Sequence, residues 1–275
     1  MQSGQWQEKM PSHFTIGSML KRYLETVTPT KRGKAQETRR LHRLLRETQL
    51  MSINLDQAKP CTFADFRDRR IHDGVRACQY DLVLMRHAWN IARVEWGWPL
   101  PDNPISLIRM PKNNPPRERR LKDGEFERLE VAAEESRSWY LWPIVVLAIE
   151  TAMRRGEILG LRWEHIDLDK KVAFLPITKN GSSRNVPLSD AAVDVLNVVP
   201  KGITGPFQVT DIAFRQAWDR LRIRASITDL TFHDLRHEAI SRMFDRGMKI
   251  HEVMAVSGHR TASQLFRYVQ TNSII

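Results

Sequence analysis

The sequence predicts a mainly helical protein with one small β-sheet, in which an all-helical front domain precedes an α+β back domain. Three observations lead there. Apolar residues recur at steps of three and four from Ile16 to Ala92. A proline-rich, basic stretch then breaks the pattern between Trp98 and Arg120. Behind it, two short apolar segments flank the pair Asn180-Gly181, the strongest hairpin signal in the chain.

Taken in order, Ile16, Met19, Leu20, Tyr23, Leu24 and Val27 mark one face of a first helix, stopped by Thr28-Pro29-Thr30. A second is expected from about Lys34 to Leu50, with Leu41, Leu44 and Leu45 facing inward and six basic residues elsewhere on it. A third follows Thr62 as N-cap and carries Phe63, Phe66 and Ile71. The fourth holds Leu82, Met85, Ala88, Trp89 and Ala92. Four such helices can enclose one small bundle. Pro99, Pro101, Pro104, Pro111, Pro115 and Pro116, closed by Arg117-Glu118-Arg119-Arg120, predict an extended linker whose basic residues can track a duplex. The back domain opens with a helix near Leu121 and an apolar helix over Trp142–Ala152. Strands follow at Val172–Leu175 and Asn185–Leu188, joined through Lys179, Asn180 and Gly181. Ser189 and Thr210 cap helices reaching about Val199 and Ile223, and three short helices fill His233 to Gln270, separated at Gly247 and Ser257-Gly258. The expected boundaries are a tail at 1–13, the helical domain at 14–97, the linker at 98–120 and the back domain at 121–275.

Composition narrows the class. With 41% hydrophobic and 27% charged residues the chain can bury a core. Its longest apolar stretch, Trp139 to Ile149, contains Tyr140 and Pro143 and is too short to span a bilayer, so no membrane partner is expected. Met1 to Met10 lacks the apolar segment of a secretory signal. Two cysteines, Cys61 and Cys78, show no metal-ligand spacing. A cytoplasmic, reduced protein is expected. The net charge of +11 is uneven: 22 basic and 12 acidic residues lie in the first 120 positions, against 21 and 20 in the rest. Such a basic front half suits neutralisation of phosphates.

Several residues of the back half could do chemistry, though each alone has an ordinary structural explanation. Arg154 and Arg155 follow an apolar helix. His233 and Arg236 share a helix face at i, i+3. His259 follows Gly258 at a helix boundary, Tyr268 sits among apolar residues, and Lys179 is beside a turn. Their combination is far more specific. Thr-Ala-Met-Arg-Arg-Gly-Glu-Ile-Leu-Gly-Leu-Arg-Trp spans Thr151 to Trp163; then come Lys179, His233-Asp234-Leu235-Arg236-His237, Ser257-Gly258-His259-Arg260 and Tyr268. This order resembles the tyrosine recombinase (phage integrase) family, whose catalytic domain carries Arg, Lys, His-x-x-Arg, His and Tyr in that sequence. The likeness covers roughly Leu121 to Thr271, and the front half is similar to that family's four-helix core-binding domain. Thr178 to Leu188 and Phe232 to Tyr268 resemble phage-type integrases and the shufflon-inverting recombinases of plasmids.

The resemblance implies a site-specific recombinase that cuts and rejoins double-stranded DNA through a 3′-phosphotyrosyl bond. It implies a homo-tetramer on two sites and leaves room for a DNA-bending accessory protein. Tyr268 would be the nucleophile; a tyrosine with a reference pKa of about 10 needs help in that role. Arg154 and Arg236 would supply forked, permanently charged donors to the non-bridging oxygens. His233 would help to accept the tyrosine proton, His259 would donate a hydrogen bond, and Lys179 would protonate the departing 5′ oxygen. Glu157, three residues after Arg154, would orient the site; Arg155 replaces Arg154 if the alignment slips by one. The covalent bond conserves the energy of the broken phosphodiester, in keeping with the lack of a Walker-type loop, and no cofactor is expected. Metal binding is disfavoured too: His233 and His237 are i, i+4, but Ser241 stands where a zinc-protease helix needs its second His.

Against the family pattern, Ala152 stands where Gly is common, and the chain ends seven residues after Tyr268, which puts exchange of a tail between protomers in doubt. There is also no room ahead of Phe14 for an arm-site-binding domain. Two other readings fit the same residues: a monomeric type IB topoisomerase, distinguished by relaxation without a site requirement, and a DNA-binding regulator that has kept the fold without cutting.

Overall fold

The computed structural model describes residues 14–115, 117–176, 183–202 and 204–269. The chain divides into two units, residues 1–116 and 117–275. The expected tail at 1–13 lies outside the described residues, as does the turn containing Lys179, Asn180 and Gly181.

Unit 1 contains α1 (Ile16–Thr26), α2 (Lys34–Leu44), α3 (Thr48–Met51), α4 (Pro60–Arg70) and α5 (Val75–Val94). Thr15 caps α1 in a reciprocal box with Ser18. The helix expected from Lys34 to Leu50 is broken: α2 stops at Leu44, and the chain turns before α3, which lets Leu50 and Met51 reach the core. The third helix starts three residues earlier than expected, with Lys59 and not Thr62 as its N-cap. Pro60 occupies its first turn, where a missing N–H costs nothing, and the Thr62 hydroxyl accepts from the Lys59 N–H. One carboxylate organises the basic faces. Asp81, fully buried on α5, receives Arg40, Arg43 and Arg70. Without those partners a buried charge there would be untenable.

The extended linker needs correction. Trp98, Leu100 and Ile105 are buried in the unit 1 core, and a 3₁₀ turn forms at Pro104–Leu107. Asn103 fixes this segment, accepting from the Ile105 N–H at 3.0 Å and donating to the Arg86 carbonyl at 2.9 Å. Prolines removed helix from the stretch, but its aromatic and aliphatic residues still gain by leaving water, at about 1.5–3 kcal/mol for each large side chain.

Unit 2 begins with α6 (Glu125–Glu134) and α7 (Leu141–Thr151). The sheet joins β1 (Ile166–Asp167), β2 (Val172–Leu175) and β3 (Arg184–Pro187) in the order β1-β2-β3, both pairings antiparallel. β1 was not expected. Two further helices, α9 (Asp190–Val198) and α10 (Asp211–Arg224), carry the expected caps Ser189 and Thr210; ahead of the sheet lies α8 (Arg155–Leu159). The chain then forms α11 (Phe232–Asp245), α12 (Ile250–Ser257) and α13 (Phe266–Val269). Nearly every residue of α7 is buried, so it is apolar on all sides. It packs against α11, and α12 and α13 lie on α11 in turn.

Arg117, Arg119 and Arg120, expected to face a duplex, are instead tied into unit 2. Arg117 donates to both Asp234 oxygens at 2.9 and 3.0 Å. Arg119 meets Glu125 and Asp229. Arg120 meets Glu238 and Asp245. A sequence window of basic residues does not reveal acidic partners more than a hundred positions away.

Candidate active site

The end of α7 begins the site. The Thr151 hydroxyl donates to the Leu147 carbonyl and accepts from the Met153 N–H, and Ala152 turns the chain at φ 53°. That left-handed conformation ends the helix and explains why Gly suits the position. It aims the Ala152 carbonyl at Arg236, which donates to it and, at 2.7 Å, to the Ser257 carbonyl. Arg236 is 4% exposed. Burial first, and the charge of Arg154 second, push its guanidinium down to about 10. It remains charged at neutral pH.

Arg154 is the N-cap of α8. Its backbone N–H donates to Glu157 at 2.8 Å, and its guanidinium donates to the other oxygen at 2.9 Å. Arg184 grips the same carboxylate at 2.7 and 3.2 Å while its Nε donates to the Val256 carbonyl. Burial opposes ionisation of Glu157, but the Arg184 and Arg154 hydrogen bonds outweigh it and hold the carboxyl below its usual range. A strand starting at Asn185, as the sequence suggests, leaves Arg184 out, whereas β3 begins at Arg184. Extending the alternation of inward Val186 and Leu188 back by one step places Arg184 on the buried face, the signal that could have found it. Gly258 permits the close approach: its φ is 71°, and a Cβ there would lie 2.9 Å from the Arg184 guanidinium.

Arg154, Arg155, Glu157, His233 and Arg236 line one cleft of about 740 Å³. Arg155 is ion-paired to Asp211 at 2.7 Å and Arg154 to Glu157 at 2.9 Å, and both line the cleft with Arg236. His233 opens onto the cleft; crowding of its ring and the charge of Arg236 hold its pKa below the ordinary value. His259, half-buried, bonds Ser257 Oγ through Nδ1 at 2.7 Å. Desolvation, then Arg236 and Arg154, bring it to about 4.

Tyr268 is 8% exposed, and desolvation raises its phenol above 10. Its hydroxyl is hydrogen-bonded to His237 Nδ1, not to the expected His233, and its ring stacks 6.5 Å from that of Phe244. His237 and Phe244 are i, i+7 on α11, so the tyrosine lies along one helix face. His233 sits edge-on to His237 with ring centroids 5.2 Å apart. Thus Arg154, Glu157, His233 and Arg236 gather at the cleft, with His259 and Tyr268 close enough to feel the Arg236 charge. Lys179 lies outside the described residues. Among the described residues no three His, Cys, Asp or Glu side chains are grouped to hold a metal ion, and no helix is long and apolar enough to cross a membrane.

Comparison with known families matches residues 119–203 and 206–273 to the phage integrase family. The chain belongs to that family. A phage-integrase relative from Escherichia coli, a shufflon-specific DNA recombinase, is 42% identical over 265 residues, covering 92% of this chain and 68% of that protein. A putative integrase/recombinase of Haemophilus influenzae is 32% identical over 280 residues, covering 96% and 74%. Among solved structures, a lambda integrase dimer bound to a COC′ core site superimposes with a TM-score of 0.79 at 18% identity, over 95% of this chain and 79% of that one. A Tn1549 transposon integrase in complex with circular intermediate DNA gives 0.75 at 17% identity, over 93% and 95%. The phage-integrase fold is therefore shared well beyond recognisable sequence identity.

Proposed function

We propose that this protein is a site-specific DNA recombinase in which Tyr268 attacks a backbone phosphate held between Arg154 and Arg236. The observation that carries the reading is the convergence of two guanidiniums and His233 on one cleft, beside a buried tyrosine on the neighbouring helix. Two fixed charges are what the transition state of an in-line displacement needs, because negative charge builds on the non-bridging oxygens. Glu157 and Arg184 hold Arg154 in place, and Ser257 accepts from His259 Nδ1, so that His259 donates a hydrogen bond to the phosphate once the phosphate's charge lets the ring take up a second proton. As the Tyr268 oxygen bonds to phosphorus, the 5′ oxygen departs and takes a proton from Lys179. The phosphotyrosyl bond then awaits attack by another strand's 5′-hydroxyl, so no nucleotide is consumed.

The family supports DNA as the partner and a multimer as the working form. One lambda integrase, similar to this chain at a TM-score of 0.78, is a tetramer bound to a Holliday junction. By the same likeness a tetramer on two sites exchanges strands here in pairs, with a DNA-bending accessory protein as an added partner. The test begins with Tyr268→Phe protein, used to select bound duplexes from a random-sequence library. A nicked duplex of the selected sequence should trap wild-type protein as a covalent adduct, absent with Tyr268→Phe. Recombination between two matched copies separates this reading from simple relaxation. An adduct that survives Tyr268→Phe, or duplex binding with no adduct under any condition, overturns it.

A further inference from the structure

We infer that His237, rather than His233, is the base that receives the phenolic proton of Tyr268 during cleavage. The inference rests on Tyr268 being the nucleophile. The motif directs attention to His233, yet the side chain in hydrogen-bond contact with the attacking oxygen is His237, through Nδ1. His233 lines the cleft, and its ring meets that of His237 at 85°. The arrangement divides two duties between imidazoles one helical turn apart. One faces the phosphate; the other faces the nucleophile.

The surroundings suit a neutral acceptor. His237 has His233, Asp234 and Arg236 near it on its own helix, Arg267 and Tyr268 on α13, and His259 beyond α12. Desolvation, and the neighbouring cations, keep its imidazole near 4, so at neutral pH it is unprotonated and able to accept. A base that weak cannot strip a buried phenol outright. It does not need to, because the phenolic proton becomes acidic as the O–P bond forms. An incoming phosphate also offsets Arg236, one of the charges that hold the His237 imidazole down, so the acceptor strengthens when it is required. The step balances: the Tyr268 oxygen gains the bond to phosphorus, its proton moves to His237 Nδ1, and the 5′ oxygen leaves with a proton from Lys179.

This assignment demands one tautomer. For Nδ1 to accept, the His237 proton must sit on Nε2. Nitrogen-15 NMR of histidine-labelled wild-type protein should therefore show His237 neutral with Nδ1 bare, and an Nδ1–H tautomer overturns the inference. Kinetics supply the second arm. His237→Asn keeps an amide oxygen where Nδ1 lies, and so can hold the phenol but cannot take its proton. Single-turnover adduct formation on the selected nicked duplex should fall about 10²-fold or more at pH 7. The deficit should shrink about tenfold per pH unit as hydroxide generates phenolate. His233→Asn should be slowed at every pH without acquiring that slope. Equal rates for wild type and His237→Asn, a deficit independent of pH, or faster cleavage in the variant each defeat the inference, the last by revealing a restraint instead of a base. The nucleophile reading fails separately, through an adduct that persists in Tyr268→Phe.

Discussion

Arg184 and Glu157 form a two-point ion pair whose side chains are each 9% exposed, joining β3 to α8. One carboxylate thereby fixes Arg154 and Arg184 together, and Arg184 adds α12 through the Val256 carbonyl. Removing one partner of a buried pair strands the other charge, at about 3–5 kcal/mol. Arg184→Met and Glu157→Gln should each lower unfolding free energy in urea by roughly that amount. The double variant should lose less than their sum, since neither charge is then left alone.

The same pair sets an acid dependence. The Glu157 carboxyl is held below its ordinary 4.5, so its contribution is fully present above that value and is lost as pH falls through the lowered one. Wild-type stability should decline below about pH 4.5 more steeply than that of Glu157→Gln. Parallel curves in acid urea melts would place the carboxylate outside the ion pair.

Ala152 offers a test of local strain. Releasing an alanine from the left-handed region gains about 1–2 kcal/mol. Glycine gives back about 0.4–1 in unfolded-chain freedom and about 0.8 for the buried methyl. Ala152→Gly should therefore change stability by less than about 1 kcal/mol, consistent with either residue serving there. Ala152→Val, β-branched at φ 53°, should cost clearly more and should also slow cleavage, because the Arg236 guanidinium rests on that carbonyl.

How far the sequence carries depends on whether a feature is local. Caps at Ser189 and Thr210, the largely apolar α7 and the His233–Arg236 spacing express themselves within a few residues, and all are legible. Leu45 could not say that α2 would stop beside it, since the turn before α3 is decided by where Leu50 finds a core. Arg184 was hidden by a strand start misplaced by one residue. The His237–Tyr268 bond joins positions 31 apart and is made by packing of α13 on α11, which no periodicity records. The linker misled for the opposite reason: its arginines look free until the fold brings Asp229, Asp234 and Glu238 to them.

Those arginines make a prediction about DNA affinity. Arg119 is 10% exposed and spent on Glu125 and Asp229. Arg119→Met should destabilise the fold yet leave the salt dependence of duplex binding unchanged. A phosphate-contacting arginine would instead flatten the slope of log K against log salt by about one unit. Filter binding from low to moderate salt distinguishes the two.

Arg236 carries the sharpest trade between stability and activity. It is buried with its donors on two carbonyls, and it faces Arg154, whose like charge is answered by Glu157. An arginine whose burial and like-charged neighbour both disfavour its charge gains from an anion placed beside it. Sulfate should therefore raise the melting temperature of the wild type by binding between Arg154 and Arg236. Sulfate also stabilises proteins generally by exclusion, so the informative quantity is the difference from Arg236→Gln, which should keep the general rise and lose the specific one. The same variant should cut adduct formation by about 10²–10³, the loss expected when one donor to the developing charge is removed. If Arg236→Gln responds to sulfate as the wild type does, the two guanidiniums do not share an anion, and the phosphate must be held elsewhere.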